Sequence, residues 1–300
     1  MIFRYIISSE YNNKTIDYFL RQTGYSRRLI IDLKETTDGI LLNKERAFTN
    51  VRLKPGDELE IHLPTEEPSE HITPVKLPFP IIYEDEHIIA VNKPADMPIH
   101  PSINNHENTL ANAAAYYFKE QGIPFVFRCV NRLDRDTTGL VLLAKHQLSG
   151  CILSEAVKAR KIHREYMAIC EGIIDEPGTI DLPIGRLPGS AIMRCIDLEQ
   201  GEHAVTHYRP IVSENHMTLL RIHLETGRTH QIRVHMGAIG HPLPGDYLYH
   251  PNYEYIKRQP LHSASLTFSH PITGQEMHLE AAVPEDMKSL FPSFFEKSLQ

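Results

Sequence analysis

The chain has 300 residues, 41% of them hydrophobic and 23% charged, with a formal net charge of −7. This is the composition of an ordinary globular protein with room for one large domain and a small one, and the negative balance argues against a generic polyanion binder without excluding a local basic surface. No apolar run approaches the ~18 to 20 residues of a bilayer span, the N-terminus carries no secretion signal, and Cys129, Cys151, Cys170 and Cys195 form no C-x-x-C, so a reduced cytoplasmic protein without a membrane partner or a metal site is expected.

Residues 1–64 read as a self-contained unit. "TIDYFLRQTG" sets Ile16, Tyr18, Phe19 and Leu20 roughly on one helical face and stops at Gly24. Ser26 is placed to cap a second helix, "SRRLIIDLKE". Short strands follow in "DGILLNKERAFTNVRLKPGDELEIHLP", with turns at "DG" and "PGD" and alternation of Leu59, Ile61 and Leu63. Residues 65–77 are rich in proline and acidic residues and read as a linker. Their few apolar residues imply a small interface between the units that they join. In residues 78–300, strand-like runs dominate: "PIIYEDEHIIAVNKP", "TGLVLLAKH", "EYMAICEGII", "MTLLRIHLETG", "HQIRVHMGA" and "SASLTFSHP". Two helical stretches interrupt them, "ENTLANAAAYYFKEQG" and "QLSGCILSEAVKARK". Strands without strict helix alternation indicate an α+β fold on a mixed, mostly antiparallel sheet with flanking helices and a cleft.

Three stretches concentrate polar chemistry. In "VNRLDRDTTGLVLLAKH" (130–146) the threonines begin a turn that Gly139 ends, and "LVLLA" reads as a buried strand. Asp134 is therefore expected at the rim of a sheet; the plain alternative is that Asp134 or Asp136 caps a turn. In "LETGRTHQIRVHMGAIGHPLPGD", Arg228, His230, Gln231, Arg233 and His235 crowd together before a Gly-Pro-rich turn. If extended, that run sets Gln231, Arg233 and His235 on one face. Such donors suit phosphate and sugar, and an arginine there would keep a buried aspartate ionised. In "VKARKIHREYMAICEG" a basic helix end with Lys158, Arg160, Lys161 and Arg164 runs into a strand with Tyr166. Cations beside one aromatic suit a nucleic-acid strand; the plain alternative puts Tyr166 in the core.

Together these stretches resemble the RluA-type pseudouridine synthases. The family's H-R-L-D-x-x-T-S/T-G motif corresponds to Asn131–Gly139, its K-x-Y-x-A strand to Arg164–Ala168, and G-R-T-H-Q-I-R-V-H stands intact from Gly227 to His235. "YEDEHIIAVNKPADMPIHP", "GHPLPGD", "LHSASLTFSHPITG" and "VPEDM" extend the match over about residues 78 to 290. The N-terminal unit resembles the α-L RNA-binding module, a usual companion in this family, whose second helix starts with basic residues, here Arg27 and Arg28. Three positions depart: Asn131 stands where His is usual, Arg164 where Lys is usual, and Asp96 where Gly is frequent.

The resemblance implies the pseudouridine synthase fold in residues 78–300 and isomerisation of a uridine in RNA without a cofactor. It implies Asp134 as the catalytic carboxylate, Arg233 holding it charged, Tyr166 stacking on the flipped base, and Arg132 filling the gap left in the RNA. Thr138, Lys93, Arg228, His230 and Gln231 are the further substrate-binding residues expected. The α-L module favours ribosomal over transfer RNA, and a monomer is expected. Two other readings stand beside this one: a non-catalytic RNA-binding or ribosome-assembly protein that keeps the fold, and a hydrolase using Asp134 with Asp136.

Overall fold

The computed structural model describes residues 1–103 and 105–297. Its first 62 residues build a sheet of β1 (Ile2–Ile6), β2 (Ile40–Leu42), β3 (Glu45–Arg46) and β4 (Glu58–His62), in the order β1-β4-β2-β3. Two helices pack on it, α1 (Ile16–Gln22) and α2 (Arg27–Glu35). Thr15 and Ser26 cap them by accepting the backbone N–H of Tyr18 and Leu29, each at 3.2 Å. Ile16, Phe19, Leu20, Leu29, Ile30 and Leu33 share a core with Leu59 and Ile61, while Leu63 is partly buried against it.

The interface that follows is larger than the linker composition implies. Leu148, 1% exposed, belongs to the N-terminal core, with Cys151, Ile152 and Ile272 packed against that core. The Phe3 ring lies 5.5 Å from the ring of His146. The linker itself is tied down: Glu66 pairs with Arg128 and accepts from the Gln147 amide at 3.0 Å, and the Asn112 amide donates to the Thr73 carbonyl at 2.7 Å. Composition counted the linker's own side chains and missed the apolar face that the second unit offers.

The larger sheet is built from β5 (Ile81–Glu84), β6 (Ile88–Lys93), β7 (Thr138–Ala144), β8 (His163–Glu171) and β9 (Gly178–Asp181). After a two-stranded ribbon, β10 (Ile184–Arg186) with β11 (Arg194–Ile196), it continues through β12 (Val205–Glu214), β13 (Met217–Leu224), β14 (Leu261–Ser269) and β15 (Glu276–Glu280). The order is β5-β6-β7-β14-β8-β13-β12-β9, with β15 added to β14. β7 and β14 run parallel and the other pairs antiparallel. This is the mixed, mostly antiparallel α+β architecture expected. The helices are α3 (Leu110–Glu120), α4 (Gln147–Lys158), α5 (Gln231–Ala238), α6 (Glu285–Lys288) and α7 (Pro292–Lys297).

Two local expectations are corrected, and one strand was not anticipated. "HQIRVHMGA" is helix α5, not a strand, so Gln231, Arg233 and His235 do not share one strand face. Residues 231–236 are all buried, polar ones included, and the period-two alternation had no solvent face to report. Gly139 does not end a turn but lies inside β7, at φ +108°. A Cβ there would stand 2.2 Å from the Ser263 carbonyl oxygen, so glycine is required for β14 to approach. β12 escaped notice because Pro210 interrupts it; the strand absorbs that proline with a register shift between Pro210 and Val212.

Candidate active site

Asp134 lies on the loop that enters β7. Asn131 anchors one end of this loop: its side chain donates to the Leu140 carbonyl at 3.0 Å and accepts the Leu142 N–H at 2.8 Å. It thus stands in for a strand partner, which accounts for an amide at a position where the family usually has an imidazole. Lys93, fully buried, holds the other end. Its ammonium donates to the carbonyls of Pro94, Met97 and Arg135, each at 2.8 Å, and burial brings its pKa down to about 7. Asp96, where the family often has Gly, adopts φ +54°, a region that Asp enters at modest cost. Asp136 is buried and turned away onto the Arg135 guanidinium at 2.7 Å.

Arg233 rises from the first turn of α5. Its Nε and Nη2 donate to the two oxygens of Asp246 at 2.6 and 2.7 Å, and its Nη1 donates to Asp134 Oδ2 at 2.8 Å. Arg233 and Asp246 are 2% and 1% exposed, so this bidentate pair is wholly desolvated. Asp246 also accepts the N–H groups of Leu248 and Tyr249. Burial opposes the charge on Arg233, but the hydrogen bonds to Asp246 and the charges of Asp134 and Asp246 outweigh it and raise the guanidinium pKa. The Tyr249 ring lies 5.0 Å from that guanidinium.

Asp134 keeps its second oxygen, Oδ1, outside this pair. It lies 3.9 Å from His230 Nε2. The His230 Nδ1 hydrogen-bonds the Tyr249 hydroxyl at 2.8 Å, and that hydroxyl accepts the Arg194 N–H at 2.8 Å. Burial lowers the His230 pKa, which favours the neutral ring at pH 7.

Asp134, Tyr166 and Arg233 line one cleft of about 60 Å³, together with Arg132, Arg228, His230 and Gln231. Tyr166 is 5% exposed, and burial pushes its phenol pKa up. The ring is therefore both part of the core and a wall of the cleft. Arg132 is exposed at the rim. The Gln231 amide is engaged by protein, accepting from Thr226 Oγ1 and the Arg228 N–H and donating to the Val205 carbonyl. Lys93 and Thr138 are not brought to the cleft. Lys93 props the loop from beneath, and Thr138 Oγ1 bonds His262 Nδ1 at 2.9 Å under β14. Sequence reasoning passed over Asp246, Tyr247 and Tyr249. Asp246 ends "GHPLPGD", where the Gly-Pro pattern reads as a turn and hides the carboxylate. Beyond the cleft, Arg27 and Arg28 are exposed in the first turn of α2, with Arg28 paired to Asp32 at 3.0 Å. Among the described residues no helix is long and apolar enough to cross a membrane, and no group of three His, Cys, Asp or Glu is placed to hold a metal ion.

Comparison with known proteins gives one answer. The RNA pseudouridylate synthase family matches residues 87–238. The chain is 39% identical over 277 residues to RNA pseudouridine synthase YjbO of Bacillus subtilis, covering 92% of this chain and 98% of that relative. It is 39% identical over 272 residues to ribosomal large subunit pseudouridine synthase D of Zymomonas mobilis, covering 85% and 86%. Among solved structures, human RNA pseudouridylate synthase domain containing 1 is similar at TM-score 0.59 and 26% identity, covering 72% of this chain and 87% of that one.

Proposed function

The chain belongs to the RNA pseudouridylate synthase family, and from that premise we propose which atoms of its cleft act and which RNA it serves. As an RNA pseudouridine synthase, it detaches uracil from ribose at N1 and rejoins it at carbon 5. Carbon 5 loses a proton and N1 gains one, so the exchange is a net isomerisation with no external oxidant or reductant and calls for no cofactor.

Asp134 is the reacting carboxylate, and the observation that carries this reading is its division of labour between two oxygens. Oδ2 is held by an arginine whose remaining nitrogens are locked on Asp246, so the carboxylate is fixed in place beside a buried cation. Oδ1 is the oxygen left for the sugar, whether it attacks carbon 1′ or takes the carbon 2′ proton. Tyr166 stacks on the uracil, against the apolar walls of Leu224 and Leu261. Exposed Arg132 moves at the rim of the cleft and fills the place of the flipped nucleotide, offsetting part of the few kcal/mol of unstacking.

The substrate is large-subunit ribosomal RNA. The name of the Zymomonas relative supports this, as does the N-terminal unit, where Arg27 and Arg28 contact phosphate. The protein acts as a monomer in the cytoplasm. The test is to map pseudouridines in total RNA from cells lacking the protein, then restore it as wild type or as Asp134→Asn. The expected result is one or more missing ribosomal sites, restored by wild type alone. Tritium release from carbon-5-labelled RNA by Asp134→Asn, or its loss in Asp136→Asn instead, would overturn the assignment of the carboxylate.

A further inference from the structure

A second groove, of about 540 Å³, adjoins the cleft and shares Leu224 and Arg228 with it. Its basic side chains are mostly matched by carboxylates: Lys158 by Glu155 at 2.5 Å, Arg160 by Glu225 at 3.5 Å, and Arg228 by Glu202. Glu225, the carboxylate lining the groove, is itself hydrogen-bonded to His207 at 2.7 Å.

Arg164 is the exception. It forms no ion pair among the described residues, and its Nε is buried without a hydrogen-bond partner. A buried guanidinium nitrogen left unsatisfied is costly and calls for an explanation. Arg164 and Tyr166 are two residues apart on β8 and so point to the same side of the sheet. The guanidinium lies over Gly227, where a Cβ would come within 2.9 Å of Nη1 and 3.3 Å of Nη2. The absence of a side chain there is what lets it lie flat along the groove.

We propose that Arg164, lying over Gly227, binds the phosphodiester next to the uridine seated in the Asp134 cleft. This rests on the reading that RNA enters that cleft. An anion arriving through this groove is then a backbone phosphate, and the planar fork of Arg164 takes it by two nitrogens. A lysine would offer a point charge. The departure from the family's usual lysine is therefore a change in how firmly one phosphate is held, and with it the strand on that side of the target.

Two measurements test this on the full chain. The first is the affinity for oligouridylate across a salt series. Arg164→Gln should lower the slope of log affinity against log salt by about 0.7, the single-strand value for one phosphate contact, while Arg164→Lys should keep it. Gly227→Ala, which pushes the guanidinium aside without removing its charge, should weaken binding with melting unchanged. An unchanged slope in Arg164→Gln overturns the proposal. The second uses an RNA bearing the mapped uridine, with single methylphosphonates at the phosphates around it. One position should cost the wild type about tenfold in KM, as a charged hydrogen bond would, and cost Arg164→Gln nothing further, with kcat kept in both. Equal losses in both proteins at every position overturn it as well. The oligouridylate series needs no knowledge of the target, so a failure of the ribosomal assignment and a failure of the phosphate site read separately.

Discussion

Arg233 reaches the cleft from α5 with its Nε, Nη1 and Nη2 all on carboxylate oxygens, whereas Arg164 borders the neighbouring groove from β8 with none. Both carry the same side chain within one region of the fold. The difference lies in when each charge is needed. A group that fixes a reactive carboxylate must be in place before substrate arrives, because reorganising it during the reaction would raise the barrier. A group that holds a phosphate must be open until substrate arrives. The first state is reached by giving the cation more anionic partners than it needs, the second by leaving it with too few.

Breaking the over-determined side should have the largest effect. Arg233→Leu leaves Asp246, buried with a charge and without its partner, and frees Asp134; the expected loss is roughly 3 to 5 kcal/mol of stability together with all turnover. Denaturant melts and single-turnover tritium release check it, and an active variant with unchanged melting would show that the two carboxylates do not depend on this arginine.

Asp246→Asn is milder. It keeps an oxygen for the Leu248 and Tyr249 N–H groups but removes one of the two charges on Arg233, at a cost of about 2 kcal/mol. Because Asp246 acts through Arg233 and not on RNA, kcat should fall while KM holds. A rise in KM alone would place Asp246 in binding instead.

Acid offers a probe that neither guanidinium answers. Burial holds His146, at the contact with the N-terminal unit, down at about 3. Its unfolded value is about 6.5, so between these values the unfolded chain binds the extra proton. Stability is complete well above pH 6.5 and falls as pH drops toward 3, by about 1.4 kcal/mol at pH 5.5. His146→Asn, which keeps a capping side chain for α4, should flatten this slope; an equally steep slope in that variant would assign the acid sensitivity elsewhere.

The smallest effect on stability is expected at Arg164. Replacing it by Gln orphans no carboxylate, so melting should stay within about 0.5 kcal/mol although RNA affinity falls. Marked destabilisation would mean that the guanidinium serves the fold.

What the sequence made legible follows from how local each signal is. Helices α1 to α4 announce themselves by period and, for α2, by the cap Ser26, and β6, β7 and β8 by apolar runs between turns. Asp134, Tyr166 and Arg233 were found through motifs. The pairing of Asp134 with Arg233 was legible only through the family resemblance, because the two are 99 residues apart and nothing local to either stretch joins them. α5 misled for a related reason: in a segment buried on all sides, alternation of polar and apolar residues reports which partners are available rather than which side is wet. Asp246 was lost inside a turn signal, since aspartate after glycine is common in turns that hold nothing.

The place of β14 bears on how the protein is made. It comes after every strand it separates, yet it stands in the middle, between β7, which follows the Asp134 loop, and β8, which carries Tyr166. Its pairing with β7 spans more than a hundred residues, from Thr138 to His262. On the ribosome, the two halves of the site are therefore expected to stay apart until residues 261–269 emerge to join them. Nascent fragments ending before this strand lack the seam of the sheet, and they are expected neither to complete the cleft nor to modify RNA. Released fragments ending at Gln259 should bind RNA weakly and turn over none, and should be cleared as misfolded polypeptide, because the missing piece is the seam of the sheet rather than its margin. Pulse-chase of stalled chains of increasing length, read by protease resistance, would show protection arriving in one step as β14 clears the exit tunnel; gradual protection beginning before residue 261 would show that the halves find each other without it.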